Sequence, residues 1–240
     1  MPHQVHEVEI GSLLQQSLAV FRALDDARGT LYALTNLAIL SAEQGQYPEA
    51  EVLLRESADR ARAMRNDMAL FSSLGSLANV LHRQGQWAEA HELYEQTLMM
   101  ARELEHPWGI GSTLKDIGRA ECDEGHQDLA LKQFAEGMTI LHGLGDRPGV
   151  IESLEGFAGV AAATAAPRRA ARLWGAADAL RQEIGNVRSV DLSVAYERQV
   201  KAVRAMLTAE AFDQAWDEGR AMSLDDAVRY ALDRRSTADA

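Results

Sequence analysis

Three residues able to bind metal recur at related places in this 240-residue chain. His82 and Cys122 lie forty positions apart, and His126 follows Cys122 by four, one turn of a helix. Glu121 and Asp123 stand beside Cys122. A zinc site built from one thiolate and two imidazoles needs a further well-placed ligand. Interior packing or groove lining accounts for the same residues, so no metal is expected. "HELYEQ" at 91–96 lacks the second histidine of a zinc-protease helix. "GIGSTLK" at 109–115 and "GLGDRPG" at 143–149 have the glycines of phosphate loops, but neither follows a predicted strand. Both are expected at linkers, where glycine ends one helix before the next begins. Carboxylates such as Asp116, Glu152 and Glu155 are plentiful but spread over helix faces. Acid–base catalysis needs two that converge with separated pKa values. The expectation is a chain with no enzymatic activity and no cofactor.

Binding chemistry is a better fit. Lys115 and Arg119 stand four apart on one predicted helix, and Asn79, His82 and Arg83 lie together on an earlier one. In a chain with 36 acidic and 24 basic residues this is a local basic and amide cluster, suited to a carboxylate or acidic side chain. The same residues also fit a solvated helix face, with Lys115, Arg119 and Asp123 as neighbours along it. A net charge of −12 without a concentrated basic face argues against direct nucleic-acid binding. Cys122 is the only cysteine, and "MPHQVHEVEIGSLLQQS" lacks the basic and apolar regions of a signal peptide. Both point to an intracellular, cytoplasmic location. The most apolar run, "FAGVAAATAAP" at 157–167, is too short to span a bilayer.

The elements that position these residues follow a repeat. "GQYPEAEVLL" at 45–54 returns as "GQWAEAHELY" at 85–94, "GHQDLALKQF" at 125–134 and "AAPRRAARLW" at 165–174. Sliding the chain by forty aligns Leu34, Leu74, Leu114 and Leu154, then Leu37, Leu77, Ile117 and Phe157. It also aligns Ala50, Ala90, Ala130 and Ala170, then Leu54, Tyr94, Phe134 and Trp174. Spacings of three and four place each set on one helical stripe, and the small residues let two helices approach. Gly45, Gly85 and Gly125 suit the left-handed position that ends a helix. Each unit therefore reads as a helix A (28–44 in the first), a tight turn, a helix B (47–64) and a short linker. Such hairpins must stack to bury their stripes. Residues 10–29 align with helix B alone, with Ile10 at the Ala50 position, so the chain is expected either to be part of a longer solenoid or to expose that face of a half repeat. Three helices are expected at 190–207, 209–219 and 224–233, the last capped by Ser223, with a frayed "RRSTADA" beyond.

Large-x-x-Leu-Ala/Gly in helix A and Ala-x-x-x-aromatic in helix B resemble the tetratricopeptide repeat. The period of forty exceeds the usual ~34, with the surplus assigned to the end of helix B and the linker. The resemblance implies an all-α, right-handed superhelical solenoid of helix hairpins with a C-terminal helical cap. Its divisions are a half repeat at 1–27, four repeats at 28–187 and capping helices at 188–240. In tetratricopeptide arrays helix A lines the concave groove at positions one, two and five after the first large residue. Here these are Thr35, Asn36 and Ile39; Gly75, Ser76 and Asn79; Lys115, Asp116 and Arg119; Glu155, Gly156 and Gly159. The implied groove ligands are Asn36, Asn79, His82, Arg83, Lys115 and Arg119, taking a protein or peptide of anionic character. Self-association through the half repeat is a further implied contact. Gly156, Gly159, Ala162 and Ala163 make the last groove stripe small, which admits the terminal helices or leaves an apolar pocket.

"AARLWGAADALRQEIG" with "YERQVKAVRAMLTAEAFDQAWDEGRAMSLDDAVRYAL" is similar to the end of the helical region in LuxR-type, MalT-like bacterial transcriptional regulators. That resemblance implies the interaction arm of a signal-transduction ATPase, or else a domain that senses a small inducer. The G-x-x-x-x-G-K-[ST] loop of such an ATPase is not in this chain.

Overall fold

The computed structural model describes residues 2–186 and 190–233, and all regular structure among them is helical. The chain forms two compact units, Met1–Leu104 and Glu105–Ala240, a division that the repeat does not mark. The first holds α1 (Pro2–Ala23), α2 (Ala27–Glu43), α3 (Tyr47–Ala63), α4 (Asp67–Arg83) and α5 (Trp87–Glu103). The second holds α6 (Pro107–Asp123), α7 (Gln127–Gly143), α8 (Arg147–Ala163), α9 (Pro167–Glu183), α10 (Val190–Arg204), α11 (Ala209–Arg220) and α12 (Leu224–Leu232).

From α2 to α9 each helix is 17 residues long. The period of forty is thus two equal halves of helix plus three-residue turn. The surplus over an ordinary repeat lies equally in both helices, not in helix B and a linker. The turn explains why. Gly45 takes φ +75°, its N–H bonds to the Ala42 carbonyl, and the N–H of Gln46 bonds to Ser41. This left-handed closure satisfies the last carbonyls of the helix. It recurs at Gly85, Gly125, Gly145 and Gly185, and also at Asp25, Arg65 and Ala165, where no glycine marks it. Side chains cap three of the A helices: Asp26 opens α2, Asn66 opens α4 and Asp146 opens α8.

The repeat-defining stripe is the core. Leu34, Leu74, Ala50, Ala90, Leu54 and Tyr94 are buried in the first unit, and Leu114, Leu154, Ala130, Ala170, Phe134 and Trp174 in the second. Each large side chain removed from water contributes about 1.5–3 kcal/mol, and the small residues set how near the helices come. Phe134 of α7 is the clearest case. Its ring lies between Gly118 of α6, where a Cβ would come within 2.9 Å, and Gly156 of α8, where no Cβ fits. Gly156 is therefore small to admit Phe134, not to receive the terminal helices. Gly159 has the Cys122 Sγ 3.9 Å from its Cβ position. "GIGSTLK" lies inside α6 and is no linker: Gly111 faces Leu141 and the Gly137 carbonyl, which brings α6 and α7 together.

The terminal helices close mainly on α9, and α10 and α12 also reach α8. α11 crosses α9 so closely that Gly175 touches the Trp216 carbonyl and Gly219 the Arg172 carbonyl, leaving no room for a methyl group. Tyr196 of α10 meets Trp174 edge-on at 5.9 Å. Arg169 donates to the Ala231 and Tyr230 carbonyls at 2.8 and 3.2 Å, holding the end of α12. The Asp226 N–H donates to Ser223 Oγ at 3.2 Å, the expected cap of α12. "RRSTADA" at 234–240 lies outside the described residues. In the first unit α1 packs on α2 through Leu18, beside Leu34 and Leu37.

Candidate binding site

The first position of each presumed groove triplet lies against the neighbouring helix, buried at Lys115 and partly exposed at Thr35, Gly75 and Glu155. Thr35 Oγ1 lies 3.0 Å from Ser57 Oγ on α3, and the Cβ position of Gly75 lies 3.4 Å from Thr97 Cγ2 on α5. Glu155 meets Arg181 of α9, and the Lys115 backbone lies beside Gly137 of α7. A residue one step past the buried leucine is turned by ~100° about the helix axis. In these hairpins that rotation still points at helix B.

In the first unit, Asn36 is half-buried and donates to the Tyr32 carbonyl at 2.8 Å. Tyr32 and Ile39 are exposed beside it. Asn79 Oδ1 accepts from the Tyr94 hydroxyl at 2.8 Å, so its amide helps to hold α5. His82 is buried, and Arg83 is half-buried in the last turn of α4.

In the second unit, Lys115 and Arg119 converge on one carboxylate that does not stand out in the sequence. Lys115 Nζ donates to Glu152 Oε2 on α8 and lies 3.5 Å from Asp116, and Arg119 lies 3.9 Å from Glu152. Lys115 is 8% exposed, so it is a buried cation and not part of a solvated face. Burial alone would lower its pKa, but Asp116 and Glu152 outweigh that and raise it. Burial would likewise raise Glu152. The charges of Lys115 and Arg119, with the Lys115 hydrogen bond, overcome this and hold its carboxyl at about 2. Glu155 is also paired: Arg181 reaches both its oxygens at 3.0 Å. Carboxylates that read as scattered in sequence are thus organised into ion pairs along α8.

Above this pair, α6 and α8 leave a cleft of about 300 Å³. Trp108, Ser112 and Lys115 line it from α6, Leu141 from α7, and Asp146, Pro148, Gly149 and Glu152 from α8 and its cap. Trp108 is half-exposed and its indole N–H donates to Asp146 Oδ2 at 2.8 Å. The other oxygen of Asp146 caps α8 through Gly149 at 3.1 Å, so one carboxylate fixes both walls. Neither Trp108 nor Glu152 occupies a conspicuous repeat position: the equivalents of Glu152 are Tyr32, Ser72 and Ser112. A Lys-to-Glu spacing of 37, three short of the period, is the only sequence trace of the pair.

Among the described residues, Glu56, Glu152, Glu218 and Asp226 are displaced below their ordinary range and act as fixed anions. Burial and the neighbouring Asp123 push the Cys122 thiol up to about 11, which makes it a poor nucleophile. Among the described residues no three His, Cys, Asp or Glu side chains group as metal ligands, and His126 pairs with Glu121 at 2.7 Å. No helix among them is long and apolar enough to cross a membrane. The geometry suits holding a ligand by shape and fixed charge.

Comparisons with known proteins agree with the fold. Residues 30–66 and 69–142 match family models of the tetratricopeptide repeat. Over 83 residues, 35% of this chain, the sequence is 40% identical to proteins of Mycobacterium bovis and Mycobacterium tuberculosis named as candidate HTH-type transcriptional regulators. The match spans only 9% of the length of those relatives. Among solved structures, BtubC (BKLC) of P. vanneervenii superposes with a TM-score of 0.65 at 21% identity, covering 93% of this chain and 90% of that one. TPR-like repeats of a candidate kinesin light chain of Podosopora anserina give 0.55 at 20% identity, covering 87% and 98%. The chain carries tetratricopeptide repeats and has the all-helical fold of a tetratricopeptide-like solenoid.

Proposed function

We propose that this chain is a non-enzymatic protein-interaction arm of a bacterial transcriptional regulator, and that a partner segment lies on its A-helix face. The observation that carries the reading is the cleft between α6 and α8, walled by a half-exposed tryptophan and floored by a fixed ion pair, within a tetratricopeptide fold. Half-exposed aromatics beside desolvated charge are the usual anchors of a protein interface. The regulator context is supported by the mycobacterial relatives and by the resemblance of 170–232 to LuxR-type, MalT-like arms. Of the six polar residues first singled out, Arg119, Arg83 and Asn36 keep part of their surface open; Lys115 and His82 serve from within, and Asn79 through Tyr94. An anionic partner group meets Arg119, whose side chain keeps part of its surface open beside the Lys115–Glu152 pair.

A photo-crosslinking residue at Ser112, in the cleft, tests this against one at Val52, which is exposed on α3. Crosslinking in cells to one protein of defined mass from position 112, absent from position 52 and weakened by Trp108→Ala, is expected. Equal yields from both positions would defeat the reading. One observation favours a second reading, an inducer sensor: about 300 Å³ is the lower end of small-molecule pocket volumes. A metabolite that raises the melting temperature of wild type but not of Trp108→Ala would select it.

A further inference from the structure

We infer that the cleft between α6 and α8 takes a cation, the guanidinium or ammonium group of an arginine or lysine in the partner segment. The inference rests on the reading that such a segment lies on the A-helix face. Its walls carry one aromatic ring, Trp108, and three charged groups, Lys115, Asp146 and Glu152. One cation against two anions leaves the lining net negative. Lys115 is buried, and its ammonium group donates to Glu152 with Asp116 a further 3.5 Å away. Glu152 stays ionised and still shows 31% of its side chain to water.

Asp146 is the anion that the fold leaves for a ligand. Its two oxygens accept only from neutral donors, the Trp108 indole N–H at 2.8 Å and the Gly149 amide at 3.1 Å. The neighbouring Arg147 is turned away to Glu183 at 2.7 Å. The indole bond sets a half-exposed aromatic ring beside a carboxylate, so one cation can meet both. An anion in the cleft would face Asp146 and Glu152. An apolar group would strip water from both carboxylates and return no partner to either. The spacing along α6 extends the description of the partner. Trp108 and Arg119 stand eleven residues apart on this helix, about 16 Å along its axis. An extended segment covers that distance in about five residues. The partner therefore carries a basic residue in the cleft and an acidic one about five positions away, at Arg119. A chain of net charge −12 draws the basic end toward it.

NMR titration of the nitrogen-labelled 240-residue chain with acetyl-arginine amide tests the site without the partner. The readout is the Trp108 indole N–H resonance, identified by its loss in Trp108→Leu. It should move with half-saturation on the order of 10 mM, and little with acetyl-norleucine amide or acetyl-glutamate amide. Trp87 is equally exposed, at 48%, but has no carboxylate bonded to its indole among the described residues, and its resonance should stay. Asp146→Asn should raise the half-saturation at least about fivefold. Its melting should stay near that of wild type, because asparagine fills the same capping place at Asn66 of α4. An indole that ignores acetyl-arginine amide at about 50 mM, several times the expected half-saturation, overturns the inference. So does one that follows the norleucine or glutamate amide as strongly, or responds unchanged in Asp146→Asn. Such results leave crosslinking from Ser112 as it was. Failed crosslinking with the arginine response intact keeps the cation site and removes the partner segment instead.

Discussion

Replacing Glu152 by glutamine removes the anion that Lys115 was buried to meet. The folded carboxyl lies at about 2 against an ordinary 4.5, and at about 1.4 kcal/mol per unit this is on the order of 3 kcal/mol of charge stabilisation at neutral pH. The Glu152 side chain is 31% exposed, so water screens part of that figure, and Asp116 at 3.5 Å continues to face Lys115. A loss of about 2 kcal/mol is expected for Glu152→Gln at pH 7. The sign follows from the depressed pKa. The contribution is complete above about pH 5 and is lost as pH falls toward 2, because only then does the folded state take up the proton that the unfolded chain binds near 4.5. Urea titrations of both proteins at pH 7 and at steps down to pH 3 measure it. Wild type should lose its advantage over Glu152→Gln as pH falls. Replacing the whole pair, Lys115→Met with Glu152→Leu, should recover most of the loss, since a buried pair exchanged for apolar groups is often neutral or stabilising. A Glu152→Gln protein within about 0.5 kcal/mol of wild type at pH 7 would show that water, not Glu152, solvates Lys115.

The turns and the core give three further expectations, each read by thermal or urea melting. Gly145→Ala should cost about 1 kcal/mol purely by conformation, because φ is +72° and nothing lies within 4 Å of the added methyl. Ala165→Gly should stabilise by a few tenths of a kcal/mol, the left-handed strain at φ +57° exceeding the extra freedom of the unfolded glycine. Gly156→Ala should destabilise by about 1–3 kcal/mol through collision with Phe134, and Phe134→Leu should be less harmful in that background than in wild type.

The stripe residues were legible in the sequence because a helix that must pack on two neighbours has little freedom in what it buries. Leucine, alanine and an aromatic at fixed spacing describe α2 to α9 within one residue or so at each end. The turns were half legible: Gly45, Gly85 and Gly125 announce the left-handed position, while Asp25, Arg65, Glu105 and Ala165 adopt it silently. The groove was the hardest part. A one-residue step moves a side chain by ~100°, and whether Thr35 or Glu155 then meets water or helix B depends on packing that the repeat does not encode. Glu152 belongs to a different repeat position from Lys115, so no self-alignment brings them together.

Two substitutions in parallel put the central claim to its most direct test: Arg119→Ala beside the Lys115–Glu152 pair and Ala90→Leu in the buried stripe. Ala90 is fully buried, and overpacking it should cost about 1–3 kcal/mol of stability. Arg119 is half-buried and 3.9 Å from Glu152, a weak pair whose loss costs the fold about 1 kcal/mol or less. Titration of each variant with the protein captured from position 112 is the measurement. The account predicts that Arg119→Ala melts nearly as wild type but binds with 1.5–3 kcal/mol less affinity, about 10- to 150-fold, and more so at low salt. Arg119→Ala binding as tightly as wild type would leave Arg119 no part in binding and contradict the account.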